Sequence, residues 1–189
     1  MDMRHYKLLF CDLDGTLIKT RSGKTFPKGV WDMELRLEVF EAIKRFNPDF
    51  VGIVSNQGGI QAGYVRQTYF NHKIDYVEAA LEDYLDIFGM VCYRYCDNEY
   101  PSNPYRKPNT RMLEELYKVF GGPYIGKPLA KSECLMICDA SGKEGQYSDT
   151  DLKTAQNFGI DYMDVEEFVA IYGEPMNKLN KEQSNERTI

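Results

Sequence analysis

Lys7-Leu8-Leu9-Phe10-Cys11-Asp12-Leu13-Asp14-Gly15-Thr16 decides how this chain is read: a short apolar run stops abruptly at two carboxylates and a glycine. An apolar run this short, bounded by polar residues, fits a strand buried on both faces. Asp12 and Asp14 lie two residues apart, so strand alternation directs both side chains to the same side as the chain leaves the sheet, and Gly15 lets the backbone turn there. Carboxylates placed in this way can divide the work of phosphoryl transfer, one attacking phosphorus and the other serving the leaving oxygen. A bare Asp-x-Asp is more often ordinary turn chemistry. The reading therefore depends on what the rest of the chain brings to the same place.

Two further runs repeat the pattern. Phe50 to Val54 ends in Ser55-Asn56-Gln57-Gly58-Gly59, and Cys134 to Cys138 ends in Asp139. Helical patterns cover Trp31 to Phe46, roughly Tyr64 to Phe88 with Ile74, Val77, Leu81 and Leu85 on one face, and Thr110 to Phe120. A fourth strand is expected at Met90 to Tyr95, and a fifth at Ile160 to Met163 after a helix beginning near Asp151. Asp164-Val165-Glu166-Glu167 has capping-box spacing and opens a last helix through Ile171. Strands alternating with helices specify an α/β fold with a mainly parallel sheet. No insertion after Thr16 or Asn56 is long enough for an independently folded cap, so no large cap domain is expected.

The 189 residues, 43% hydrophobic, suit one domain with one substantial core, expected over residues 1–173. From Gly173 the chain turns polar, and 174–189 reads as a flexible tail. A net charge of −6 argues against a general nucleic-acid coat protein, so any contact with nucleic acid must be local. Five cysteines match no secreted disulfide framework, and neither a leader-like apolar segment nor a membrane-spanning stretch is present. A cytoplasmic protein with no membrane association is the expectation.

The remaining polar positions supply what phosphoryl transfer needs. Ser55 and Asn56, with exposed backbone amides beside them, can donate hydrogen bonds to phosphate oxygens. Lys107, ahead of the helix Thr110 to Phe120, can neutralise charge on a phosphoryl group and on the aspartate that attacks it. Mg2+ requires oxygen ligands, which Asp12 and Asp139 offer at neighbouring strand ends together with a backbone carbonyl. Asp151 is read two ways, as a group orienting metal-bound water or the lysine, or as a helix cap.

Taken together, Asp12-Leu13-Asp14-Gly15-Thr16, Ser55-Asn56, Lys107 and Asp139 with Asp151 resemble the four motifs of the haloacid dehalogenase superfamily of phosphatases. The resemblance runs from about Lys7 to Ile171. It implies a Rossmann-like three-layer sandwich, Mg2+ dependence and an aspartyl-phosphate intermediate. Asp12 would be the nucleophile, Asp14 the general acid and base, and Ser55 and Lys107 the phosphate-binding groups. Asp12, the Asp14 backbone carbonyl and Asp139 would bind the metal, with Asp151 nearby. Within the superfamily, Thr16 to Pro27, Ser55-Asn56-Gln57 with Gly59-Ile60, Tyr105-Arg106-Lys107-Pro108 and Asp139 to Lys143 resemble the 3'-phosphatase domain of polynucleotide kinase/phosphatases. That implies a nucleic acid with a 3'-phosphate end as substrate and a place in DNA repair.

The basic residues Lys19, Arg21, Lys24 and Lys28 follow the first strand closely and can attract a polyanion to an otherwise acidic protein. Gly121 to Pro128 approaches a phosphate-binding loop of the kinase type, but it ends in proline and follows a helix, so no kinase domain is expected in this chain. The competing enzyme is a small-molecule phosphatase resembling the histidinol-phosphate or heptose-bisphosphate type. Relatives of that type carry a zinc loop, for which Cys92 and Cys96 are an incomplete ligand set. A binding protein that keeps the fold without turnover is the third possibility.

Overall fold

The structure, a computed structural model, describes residues 6–24, 30–87, 89–121, 128–146 and 148–173. The polar tail 174–189, Lys28 and most of the Gly121 to Pro128 run lie outside them.

Among the described residues, seven strands and five α-helices follow one another along the chain: β1 (Leu8–Cys11), β2 (Ile18–Thr20), β3 (Met33–Leu35), α1 (Leu37–Phe46), β4 (Phe50–Asn56), α2 (Gln67–Leu85), β5 (Val91–Cys96), α3 (Arg111–Phe120), β6 (Cys134–Cys138), α4 (Thr150–Phe158), β7 (Asp161–Asp164) and α5 (Val165–Tyr172). Five of the strands form one sheet in the order β5-β4-β1-β6-β7, and every pairing in it is parallel. The expected Rossmann-like three-layer sandwich is present.

Strand alternation explains why the three apolar runs carry no polar position. In β1, Leu9 and Cys11 face a cluster filled by Val39, Phe40 and Ile43 of α1, Phe70, Ile74 and Val77 of α2, and Phe168 of α5. Leu8 and Phe10 face the opposite cluster, with Met112, Leu113 and Leu116 of α3 and Ala155 and Phe158 of α4. β4 and β6 divide their side chains in the same way. A sheet covered on both faces admits apolar residues at every position. Gly52 in β4 is a packing requirement, because a Cβ there would sit 2.9 Å from the Phe10 ring.

The helix expected over Trp31 to Phe46 begins only at Leu37. Val30–Asp32 is a 3-10 turn and Met33–Leu35 is β3, paired antiparallel with β2 so that Ile18 opposes Leu35 and Thr20 opposes Met33. The physical signal is in the sequence: Trp31-Asp32-Met33-Glu34-Leu35 alternates with period two, the strand period. Among the described residues, this two-stranded ribbon and the 3-10 turn are the elements that lie between β1 and α1. The helix expected from Tyr64 begins at Gln67, because the amides of Tyr64 and Val65 donate back to the Gly59 carbonyl and close a turn first. The last helix starts where its cap places it, with the Asp164 carboxylate accepting from the Glu166 amide at 3.1 Å.

Candidate active site

The order β5-β4-β1-β6-β7 places β1 at the centre, with the chain running to one side through β4 and β5 and to the other through β6 and β7. In an open parallel sheet the crevice at the carboxyl ends of strands beside such a reversal is where ligands bind. Asp12 follows β1, Ser55 lies at the end of β4, and Asp139 follows β6. All three line one cavity of about 930 Å³.

Lys107 reaches the crevice from the loop before α3 and is buried. Its Nζ lies 2.5 Å from Asp12 Oδ1 and 2.7 Å from Asp151 Oδ1. Asn56 holds the lysine in place: its side-chain amide donates to the Lys107 carbonyl at 3.1 Å and its Oδ1 accepts from the Lys107 amide at 2.9 Å. Asn56 thus sits at the expected place with its hydrogen-bonding groups committed to the lysine loop.

Asp151 is the second residue of α4 and is buried; the N-cap residue is Asp149, and no side-chain cap bond is formed. Of the two sequence readings for Asp151, the helix-cap one gives way to a carboxylate turned onto Lys107. The Ala140 carbonyl accepts from the amides of Asp151 and Leu152, which ties the loop after β6 to the start of α4 and brings Asp139 beside Asp151.

Asp14 is held by groups the sequence did not announce. Lys73 of α2 donates to both Asp14 oxygens at 3.0 and 3.1 Å, and Gln57 Nε2 donates to Oδ2 at 2.6 Å while also lying 2.8 Å from Ser55 Oγ. The signal for Lys73 was its register, since it falls on the stripe Phe70, Ile74, Val77 and Leu81 that faces the core, where a cation needs a buried partner. Arg36 holds the turn from outside, donating to the Gly15 carbonyl at 2.8 Å and reaching Glu166 of α5 at 2.8 Å. Gly15 adopts φ +94, and a Cβ there would come within 2.0 Å of Asp139 Oδ2. Only glycine allows the two strand-end loops to approach this closely.

Asp12, Asp139 and Asp151 each offer an oxygen within 4.8 Å of the others, the one such group of possible metal ligands among the described residues. Burial pushes Asp12 up to about 8; Lys107 opposes the shift, and Asp151 and Asp139 add to it. Burial and then Asp151 raise Asp139 to about 6. Burial works against the charge of Lys107, but Asp12 and Asp151 outweigh it and hold the ammonium protonated. Three crowded carboxylates facing a single buried lysine are short of positive charge, and an all-oxygen donor set fits a hard divalent cation such as Mg2+. The carboxylate of Asp14 is turned away from this group, onto Lys73 and Gln57.

The basic stripe divides. Lys19 and Lys24 line the cavity, whereas Arg21 is exposed on the turn and is not part of its wall. The Ser22 amide and hydroxyl both bond Asp32 at 2.8 Å, which pins this turn to the ribbon. Cys92 and Cys96 lie along β5 as free thiols. No helix among the described residues is long and apolar enough to cross a membrane.

The sequence model for polynucleotide kinase 3 phosphatase matches residues 7–169. Over 165 residues the chain is 30% identical to the bifunctional polynucleotide phosphatase/kinase of Schizosaccharomyces pombe, with 86% of this chain and 37% of that protein in the match. The chain therefore spans little more than a third of that relative. A 20.8 kDa uncharacterized protein of Autographa californica nuclear polyhedrosis virus is 25% identical over 174 residues, which cover 87% of this chain and 86% of the viral one. Two solved structures share the fold. A HAD-like phosphatase from Mesorhizobium loti aligns with a TM-score of 0.56 at 21% identity, covering 91% of this chain and 90% of that one. The D,D-heptose 1,7-bisphosphate phosphatase of B. bronchiseptica, solved with magnesium and phosphate, aligns with a TM-score of 0.58 at 16% identity, covering 93% and 99%.

Proposed function

We propose that this chain, which belongs to the polynucleotide kinase 3 phosphatase family, removes 3'-phosphate from DNA ends through a phosphorylated Asp12 with Mg2+ bound. The observation that carries the reading is the buried Lys107 bridging Asp12 and Asp151 at the carboxyl end of the parallel sheet, in a chain matched by that family over 7–169. The domain proposed to do this runs over residues 1–173.

In the first step an Asp12 oxygen forms a bond to phosphorus as the bond from phosphorus to the 3'-oxygen breaks, and Asp14 gives the leaving oxygen its proton. Water then attacks the phosphorylated aspartate, Asp14 takes the water's proton, and inorganic phosphate leaves. Lys73 and Gln57 aim the Asp14 carboxylate through both steps. Ser55 and Lys107 bind the phosphoryl oxygens, and Asn56 acts by fixing Lys107. Lys19, Arg21 and Lys24 draw the polyanion toward the site. The Asp12 and Asp139 carboxylates and the Asp14 carbonyl would hold Mg2+, with Asp151 beside them; when bound, the ion supplies positive charge to the phosphoryl oxygens.

A panel of substrates tests the reading. With Mg2+ present, an oligonucleotide bearing a 3'-phosphate should be hydrolysed well ahead of the same strand bearing a 5'-phosphate, histidinol phosphate or heptose bisphosphate, and its KM should rise with salt. A preference for a small sugar phosphate would instead support the small-molecule reading, for which the heptose-bisphosphate enzyme offers likeness of fold alone.

The raised carboxylates give metal binding a predictable pH dependence. Asp12 and Asp139 must lose their protons to coordinate, and with folded values of about 8 and about 6 protons compete for them up to pH 8. Without metal, each raised carboxylate destabilises the fold as pH climbs from about 4 toward its folded value, because the unfolded chain releases the proton first. The increase in melting temperature on adding MgCl2 is therefore expected to be larger at pH 8.5 than at pH 5.5. An increase independent of pH would place the ion elsewhere.

A further inference from the structure

One wall of the cavity does nothing in the reaction just described. Tyr64, Arg66 and Tyr69 line the same cavity as Asp12 and Lys107. Tyr64 is 86% exposed and Tyr69 47% exposed, although each is large and mostly apolar. Arg66 precedes α2, and its guanidinium lies 5.7 Å from the Tyr69 ring centroid. A lone exposed tyrosine needs no explanation, but two beside an arginine at the mouth of a phosphoryl site form a surface with π faces and positive charge. Lys19 and Lys24 belong to the lining that β2 and the turn after it contribute. The cavity, at about 930 Å³, is far larger than a phosphoryl group requires and suits a nucleotide-sized ligand.

We propose that Tyr64 and Tyr69 form a stacking platform for the terminal nucleobase of an unpaired 3' end, with Arg66, Lys19 and Lys24 taking the strand's backbone phosphates. The inference rests on the 3'-phosphatase reading and adds to it the feature that is recognised beyond the phosphate. Aromatic rings bind bases by their faces, which is tolerant of sequence and available once a base has left its partner strand. Tyrosine suits the task because it offers a large flat area with few rotatable bonds to immobilise. The occupant follows from charge complementarity: aromatic area shares one cavity with the phosphoryl site, and six cations, Lys19, Lys24, Arg66, Lys73, Arg106 and Lys107, line it against five carboxylates.

The test compares two strands identical except at the 3'-phosphorylated terminal residue, which carries a base in one and is abasic in the other. The wild-type protein should prefer the base-bearing strand in kcat/KM by roughly ten- to a hundredfold, the range that a base-aromatic stack supplies. Tyr64→Ala with Tyr69→Ala should bring that ratio near one, while Phe at both positions preserves it. A wild-type ratio near one, or a ratio unchanged in the alanine variant, overturns the platform. A second readout is independent of turnover: in EDTA, a 3'-phosphorylated strand ending in 2-aminopurine should be quenched by the wild type and not by the alanine variant. Quenching without hydrolysis of any 3'-phosphate overturns the reaction and keeps the platform. Hydrolysis without quenching overturns the platform alone, and absence of both overturns the two together.

Discussion

Asp12→Asn is expected to abolish turnover while the protein stays folded. The amide is a poor nucleophile and a weaker metal ligand, and groups in this role contribute several orders of magnitude to rate. Stability should survive for a reason visible in the site. Burial, with Asp151 and Asp139 adding to it, raises Asp12 to about 8, so near neutral pH the metal-free protein already favours an uncharged group at this position. Lys107 keeps its contact with Asp151 at 2.7 Å when Asp12 is neutral, so the substitution strands no cation. Phosphate release from a 3'-phosphorylated oligonucleotide, measured beside a thermal melt in EDTA, separates the two effects. The melt should stay close to wild type and the rate should fall by more than about a hundredfold. A variant that retained more than that hundredth would not be missing its nucleophile.

The parts legible in the sequence share a physical origin. β1, β4 and β6 are buried on both faces, so their apolar runs end sharply, and the first polar residue past each run lies at the mouth of the sheet. Asp12, Ser55 and Asp139 are found where that reading puts them. The parts that stayed hidden depend on side chains crossing between elements distant in sequence. Arg36 meets Glu166, and Lys73 meets Asp14, across 130 and 59 residues, and no local spacing encodes either pair. Lys73 did leave a trace as a cation on an apolar helical stripe, which is the kind of local inconsistency that marks a functional or strained position. The β2–β3 ribbon is legible only in part: Trp31 to Leu35 alternates with period two, but a three-residue strand is too short for that alternation to outweigh the helical pattern that continues to Phe46. The metal group was legible in two ways: the ends of β1 and β6 placed Asp12 and Asp139, whereas Asp151, at a helix start, reads equally as a cap by local pattern, and only the family resemblance set it beside them.

Lys107→Met is expected to do what Asp12→Asn does not, costing both activity and stability. Asp12 and Asp151 are each buried and each within 2.7 Å of the same ammonium. Removing that charge leaves two buried carboxylates facing each other, and breaking a buried pair by deleting one partner costs roughly 3 to 5 kcal/mol. The loss should depend on pH. Lys107 opposes the rise at Asp12 and at Asp139, so its loss lets both climb further, and a carboxylate whose folded pKa is raised costs stability as pH rises from its unfolded value, near 4, toward its folded one. Metal-free Lys107→Met should therefore approach wild-type stability at pH 5 and fall well below it at pH 8. Adding Asp151→Asn removes one of the two stranded carboxylates and should recover much of the stability at pH 8, but no activity, because the cation over the phosphoryl group is still missing. Denaturant unfolding of the wild type, the single and the double variant at both pH values resolves the pattern. A deficit of equal size at both pH values, or one that Asp151→Asn leaves in place, would mean that Lys107 supports the fold by packing, and that its charge between Asp12 and Asp151 is not what the site depends on.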